Sequence, residues 1–285
     1  MCGICGFSGS QDRALLERMA HRLAHRGPDS QGFHESEGIS LGMRRLSIID
    51  LFTGAQPMHN EDRKIWVVFN GEIYNYRQLR AELSAKGHKF LSNSDTEVLV
   101  HLYEEYGDKS PSYLHGMFAY ALWDENKRGL FIARDQLGIK PLYYALHGGK
   151  FSFASELKAL LCSPELPREA DPCAIDSYLT FLNIPAPDSI FKSVKKLPAG
   201  HALLFSDGRL TLKRYWDVPS GAGVSRLPQE EQKRRFAELF DETVKAHMIS
   251  DVPLGVFLSG GIDSCSIAAA MSRVSGARIK TFSIG

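Results

Sequence analysis

No sign of charge dominates this sequence. Over 285 residues, 34 lysines and arginines face 33 aspartates and glutamates, a formal net charge of +1, and no run of like charge stands out. A polyanion-binding stripe, and with it a nucleic-acid partner, is therefore not expected. Long apolar runs are also missing: nothing approaches the roughly 20 residues that cross a bilayer, and the first residues lack the basic-then-apolar order of a secretory signal. The expectation is a soluble, cytoplasmic protein with no membrane partner. Cysteine is scarce: Cys2, Cys5, Cys162, Cys173 and Cys265 are too scattered for a disulfide framework, so free thiols are expected. Cys2 and Cys5 form a C-x-x-C pair. Zinc would need a second ligand pair, however, and neither another C-x-x-C nor a histidine cluster of suitable spacing is present, so no metal site is expected.

What is there suffices for a sizeable core, with 44% hydrophobic residues in a length that suggests two domains. Leu15, Leu16, Met19 and Leu23 share one face of a helix spanning Gln11 to Arg26, stopped by Gly27-Pro28. Ile65 to Phe69 reads as a strand that ends in a turn at Asn70-Gly71, and Tyr76 to Lys86 reads as a helix. A further helix follows Ser94-Asp95, either of which is a good cap, and stops at Gly107. From Met117 to Ala154 short β-prone runs alternate with turn residues, the pattern of antiparallel hairpins. Together these predict an α+β layered domain over residues 1–205, then a terminal strand region and linker over 206–228, with Pro219 to Pro228 as the linker proper.

Residues 229–285 change class. A helix over Gln229 to Met248 precedes a buried strand at Val256 to Leu258, the turn Ser259-Gly260-Gly261-Ile262-Asp263-Ser264, an apolar helix around Ile267 to Met271, and a second parallel strand at Ile279 to Ile284. One β-α-β unit cannot cover both faces of a parallel sheet, so this domain is expected to be cut short. Its exposed apolar face suggests pairing with a second copy, a possible homodimer.

The thiol at position 2 gains meaning from processing. Cysteine is small enough for the initiator Met1 to be removed, which leaves thiol and free α-amine on one residue. That amine, with an ordinary pKa of about 7.7 to 8.0 against about 8.5 for a thiol, can take the thiol proton near neutrality. By itself the residue reads more readily as a buried structural cysteine at a strand start.

Further motifs give it company: Cys2-Gly3-Ile4-Cys5-Gly6, His25-Arg26-Gly27-Pro28-Asp29, Arg45-Leu46-Ser47-Ile48-Ile49-Asp50, Gly54-Ala55-Gln56-Pro57, Asn70-Gly71-Glu72-Ile73-Tyr74-Asn75, Ser94-Asp95-Thr96-Glu97 and Arg134 to Tyr143. In this order they resemble the glutaminase domain of class B glutamine-dependent asparagine synthetases, and Ser259 to Ser264 resembles the pyrophosphate loop of the same family's synthetase domain. The resemblance implies an N-terminal-nucleophile αββα sandwich followed by the first β-α-β unit of an α/β ATP-pyrophosphatase domain. It also implies roles. Cys2 would attack the glutamine side-chain amide, with Asn70 and the Gly71 N–H holding the oxyanion. Arg45 would bind the α-carboxylate, and Asp95 and Glu72 the α-ammonium.

The His25 to Asp29 and Arg134 to Pro141 segments are read as packing and loop-shaping. In the second domain Leu258, Ser259, Gly260, Gly261, Asp263, Ser264 and Ile284 would bound the site for ATP, with Asp263 near Mg2+ and no cofactor needed for the glutaminase step. The family delivers its ammonia to an activated aspartate. Two other readings stay open: a related amidotransferase with a different acceptor, and a non-catalytic glutamine-binding module.

Overall fold

The computed structural model describes every residue except Ala222, Val224, Ser225, Ala277 and Gly285, so part of the expected linker lies outside the described residues. The chain divides into two compact units, Met1–Asp217 and Val218–Gly285. In the first, β1 (Gly3–Gly9) and α1 (Arg13–His21) lead into the hairpin β2 (Ser30–Ser36) and β3 (Gly38–Arg45). The short β4 (Met58–His59) precedes β5 (Ile65–Ile73), and α2 (Tyr76–Ala85) and α3 (Glu97–Tyr106) follow. Then come β6 (Gly116–Asp124), β7 (Gly129–Arg134), β8 (Tyr143–His147) and β9 (Lys150–Ala154). The unit closes with α4 (Leu157–Leu160), α5 (Pro172–Phe181), β10 (Lys195–Lys196), β11 (His201–Ser206) and β12 (Arg209–Arg214).

These strands make two antiparallel six-stranded sheets, ordered β10-β8-β9-β1-β3-β2 and β12-β11-β7-β6-β5-β4. Side chains alternate between the faces of a strand, and the core records which face is which. Ile4 of β1, Ile39, Leu41 and Met43 of β3, and Val68 of β5 meet in one buried cluster between the sheets. Cys5 and Phe7, of opposite parity on β1, pack outward against Leu15, Leu16, Met19 and Leu23 of the α1 region. The C-x-x-C pair is thereby split across two faces: Cys2 borders the inter-sheet core while Cys5 is sealed under α1. Burial without a partner drives the Cys5 thiol far above its ordinary value, as expected of an inert structural thiol.

Some sequence expectations are corrected here. The first helix ends at His21, and residues up to Arg26 form a chain of turns before Gly27-Pro28. Asn70-Gly71 is no turn: β5 continues through it to Ile73, because Asn70 and Gly71 pair with Ala119 and Phe118 of β6. A partner strand thus overrides a local turn preference. Neither Ser94 nor Asp95 caps α3. Thr96 holds the cap position, Ser94 Oγ accepts the Thr96 N–H, and the Asp95 carboxylate is spent on the Ile73 N–H at 2.9 Å.

The second unit contains α6 (Gln229–His247), β13 (Gly255–Phe257), α7 (Ile262–Ser275) and β14 (Lys280–Phe282), the two strands running parallel. Val244, Ala270 and Met271 form its small core, joined by Val256 and Ile279. The expected burial of β13 does not hold. Phe257 is 74% exposed and Phe282 56%, because both helices pack toward one side of a two-stranded sheet.

Candidate active site

Strand parity assembles the site. Cys2 precedes β1 with the parity of Ile4, Arg45 ends β3 with the parity of Met43, and Asn70 and Glu72 follow Val68 on β5; each therefore emerges on the inter-sheet face. One cleft is lined by Cys2, Arg45, Asn70, Gly71, Glu72 and Asp95, with a cavity volume of about 50 Å³.

Cys2 is held at both ends. Its carbonyl accepts a 2.8 Å hydrogen bond from Arg26 Nε, whose Nη1 is anchored by Glu156 at 2.9 Å. Its Sγ accepts the Leu46 N–H at 3.4 Å. Burial pushes the thiol up, against the Leu46 N–H and the positive charges of the N-terminus and Arg45, which favour the thiolate. The net upward shift leaves the thiol in need of a base. Met1 in front of it is 55% exposed.

Asn70 is 1% exposed, yet among the described residues neither its Oδ1 nor its Nδ2 has a hydrogen-bond partner. Buried side-chain amides are nearly always satisfied; this one faces the cleft unsatisfied, a donor prepared for something that is not protein. Its neighbour supplies a second donor. The Phe69 N–H goes to Gln56 Oε1 at 2.7 Å and the Ile73 N–H to Asp95, both away from β6. Strand periodicity turns the intervening Gly71 N–H to the same side, toward the cleft. Glycine is required there, since an added Cβ would sit 2.1 Å from the Met117 carbonyl oxygen.

Charges ring the other end. Among the described residues, Arg45 commits only Nη2 to carbonyls, those of Ile49 at 3.0 Å and Asp50 at 2.6 Å. A Cβ on Gly54 would fall 2.2 Å from that same nitrogen, so the loop leaves just enough room for the guanidinium. Asp95, fully buried, is pushed up to about 7 by burial, with the Ile73 N–H pulling down and the Glu72 charge pushing further up. Burial also raises Glu72, partly offset by Lys140 and the N-terminus.

Lys140 is the residue that sequence reasoning missed. It was grouped with a segment read as loop-shaping, and its neighbours do shape the loop. The Asp135 carboxylate accepts the N–H groups of Phe118, Leu137, Ile139 and Lys140, while Arg134 donates to the carbonyls of Gly138, Lys140 and Leu197. The tight turn delivers Lys140 itself into the cleft, buried, with burial lowering its pKa and the neighbouring Glu72 and Cys2 favouring its charge. A lysine one residue before a proline gives no sequence signal of this; only the turn geometry does. Arg26, in a segment also read as loop-shaping, holds the Cys2 carbonyl.

Ser259 to Gly261 links β13 to α7, Gly260 adopts φ +80°, and the Ser259 and Ser264 hydroxyls lie 3.0 Å apart. Ser264 Oγ also donates to the Gly261 carbonyl. Leu258 donates its N–H to Phe282, and Ser283 Oγ donates to the Leu258 carbonyl, while Asp263 and Ile284 are exposed. Leu258, Ser259, Gly260, Gly261, Asp263, Ser264 and Ile284 all belong to the second unit, and the cleft residues to the first.

Two antiparallel sheets between helices, with a thiol at the second residue facing an orphaned amide, define an N-terminal-nucleophile amidotransferase fold. The chain belongs to the glutamine amidotransferase domain family, whose model matches residues 1–216; a second model, asparagine synthase, matches residues 235–285. Among curated relatives, asparagine synthetase [glutamine-hydrolyzing] 1 of Bacillus subtilis (strain 168) is 41% identical over 295 residues, covering 100% of this chain and 46% of that protein. The enzyme of that name from Zea mays is 38% identical over 281 residues, covering 96% of this chain and 42% of its own. The chain thus spans about half the length of the curated relatives it matches. Among solved structures, the glutamine phosphoribosylpyrophosphate amidotransferase of B. subtilis shares the fold at a TM-score of 0.56 and 18% identity, over 99% of this chain and 65% of that one. Among the described residues, no helix is long and apolar enough to cross a membrane.

Proposed function

We propose that the first unit hydrolyses glutamine to glutamate and ammonia through a thioester on Cys2. The observation that carries the reading is the buried, unpartnered Asn70 side chain beside the thiol. Once Met1 is removed, the α-amine of Cys2 takes the thiol proton and the sulfur attacks the carboxamide carbon. Charge gathers on the carbonyl oxygen, where Asn70 Nδ2 and the Gly71 N–H donate to it. The protonated amine then returns its proton to the leaving nitrogen, ammonia departs, and water cleaves the thioester. Arg45 takes the substrate α-carboxylate, and Asp95 with Glu72 its α-ammonium, so that a free amino acid is selected over a protein-bound glutamine.

For the longer protein of which such a domain forms part, we infer ATP-dependent amidation of aspartate to asparagine. The match over residues 235–285 and the relatives' names support this. The Ser259–Ser264 loop fits an anionic ligand: a Cβ on Gly260 would meet nothing within 4 Å, so the approach to the N-terminus of the 14-residue α7 is open. ATP phosphates would lie against its N–H groups, Asp263 would hold Mg2+, and main-chain groups of Leu258 and Ile284 would flank the nucleotide. ATP supplies the activation of the acceptor acid when bound.

The test is ammonia release from glutamine alongside labelling by a glutamine-like diazoketone. Labelled Cys2 with an intact mass lacking Met1 is expected. Ammonia release by material that keeps Met1, or labelling at Cys162 or Cys265, would refute the reading.

A further inference from the structure

A second constellation lies outside the cleft. Glu61 sits between β4 and β5, His88 just after α2, and His101 and Glu104 one turn apart on α3. Twelve residues separate two histidines that lack metal-binding spacing in the sequence, and the α2–α3 connection brings them together, ring centroids 4.9 Å apart. His101 Nδ1 lies 3.0 Å from Glu104 Oε2 and 3.6 Å from Glu61 Oε2. His88 Nδ1 lies 3.5 Å from the same Glu104 oxygen and 4.0 Å from Glu61 Oε1. One donor atom from each residue falls within 4.8 Å of all the others. A tetrahedral cation with ligands at about 2.0 to 2.2 Å needs its ligand atoms about 3.3 to 3.6 Å apart.

A protonated imidazole between carboxylates would also give short N···O distances. The far sides of three of the four groups carry the further contacts that a metal site uses. Metal-binding imidazoles turn their other nitrogen to a carboxylate, and ligating carboxylates are themselves held. His88 Nε2 is 3.1 Å from Glu105 Oε1, and Nε2 of the fully buried His101, which has no hydrogen-bond partner, faces Glu97 Oε1 at 3.8 Å. The outer oxygen of Glu104 accepts Asn60 Nδ2 at 2.7 Å, and Glu61 Oε1 accepts the Lys89 N–H at 2.8 Å. Three of the four groups, His88, Glu104 and Glu61, are thus held from behind, and two neutral imidazoles with two carboxylates balance a dication. The two glutamates are exposed, which leaves an entry path.

We propose that Glu61, His88, His101 and Glu104 form a tetrahedral site for a divalent transition cation of the zinc class. Its task is structural. It ties the β4–β5 turn to the α2–α3 connection and to α3, and it steadies Glu97, whose carboxylate accepts the N–H groups of Leu91 and Ser92, each at 2.7 Å. That segment runs directly into Ser94 and Asp95 of the cleft.

The test uses the whole chain, stripped with a chelator and titrated with Co2+. One equivalent should bind with the intense visible bands of tetrahedral cobalt, Zn2+ should displace it, and either ion should raise Tm. His88→Ala and Glu61→Gln should each weaken binding at least tenfold and abolish the rise in Tm; Glu105→Gln, behind His88, should cost about 10- to 100-fold. The exposed Glu61 keeps the test open should the histidine variant fail to fold. Absence of stoichiometric binding, affinity unchanged in Glu61→Gln, or near-ultraviolet sulfur-to-cobalt charge transfer would overturn the site.

Discussion

Asp95 gives the sharpest handle on the proposed glutamine site. It is neutral below about pH 7, because burial and the nearby Glu72 charge outweigh the Ile73 N–H that favours its ionised form. A substrate α-ammonium needs the carboxylate. For an ammonium ligand, affinity should therefore carry the fraction of Asp95 ionised: near maximal at pH 8, about half at pH 7, and roughly tenfold weaker by pH 6. The same shift has a stability consequence of opposite direction. An acid whose folded pKa is raised holds its proton when the unfolded chain has lost it. Its contribution is thus fully present below about pH 4 and is lost as pH rises toward about 7, at up to ~1.4 kcal/mol per pH unit across that window. Asp95→Asn should flatten that slope and hold ligand affinity low and pH-independent. Calorimetric titration of the Cys2→Ala protein with glutamine from pH 5.5 to 8, with urea midpoints over pH 4 to 8, measures both. Affinity that is flat with pH in the parent, or Asp95→Asn binding as well as the parent at pH 8, would refute the assignment.

Replacing Asn70 with leucine should separate stability from chemistry. Removing a buried, unpartnered amide should stabilise the fold by about 1–3 kcal/mol, read as a higher Tm, while loss of the oxyanion donor should cut kcat for ammonia release by about 10²–10³. Gly71→Ala should lower stability by about 1–3 kcal/mol or more, since the new methyl would press on strand backbone, and a soluble variant with parental Tm would contradict the register of β5 on β6. Glu156 is held down to about 2, burial being outweighed by Arg26, Lys158 and His25. Its contribution is present above about pH 4 and lost as pH falls toward 2, so Glu156→Gln should cost roughly 1–3 kcal/mol at pH 7 and converge with the parent near pH 2 in urea denaturation.

Much of this molecule was legible in order but not in place. Helical periodicity marked α1, α2, α3 and α6, and β-branched and aromatic runs marked β6 to β9, because those segments carry their own amphipathic pattern. Strands β1 to β3 gave little signal. Their sequences, rich in glycine and, in β2, polar, have weak intrinsic preference, and pairing with one another and with β9 makes them strands. The same tertiary pairing moved Asn70-Gly71 from a turn into β5, which is what aims both donors at the thiol.

The amino-acid sequence alone determined the chemistry on offer: a cysteine that processing can expose, an amide, a guanidinium and carboxylates in a recognisable order, followed by a glycine-serine loop of another class. Those are local properties, carried by residue type and spacing. Tertiary structure alone decided which of them meet. Strand parity and register put Cys2, Arg45, Asn70 and Glu72 on one face, a carboxylate-stitched turn added Lys140, and helix packing gathered His88 and His101 with two glutamates. Convergence of side chains distant in sequence depends on which backbones pair, and pairing is a property of the folded whole.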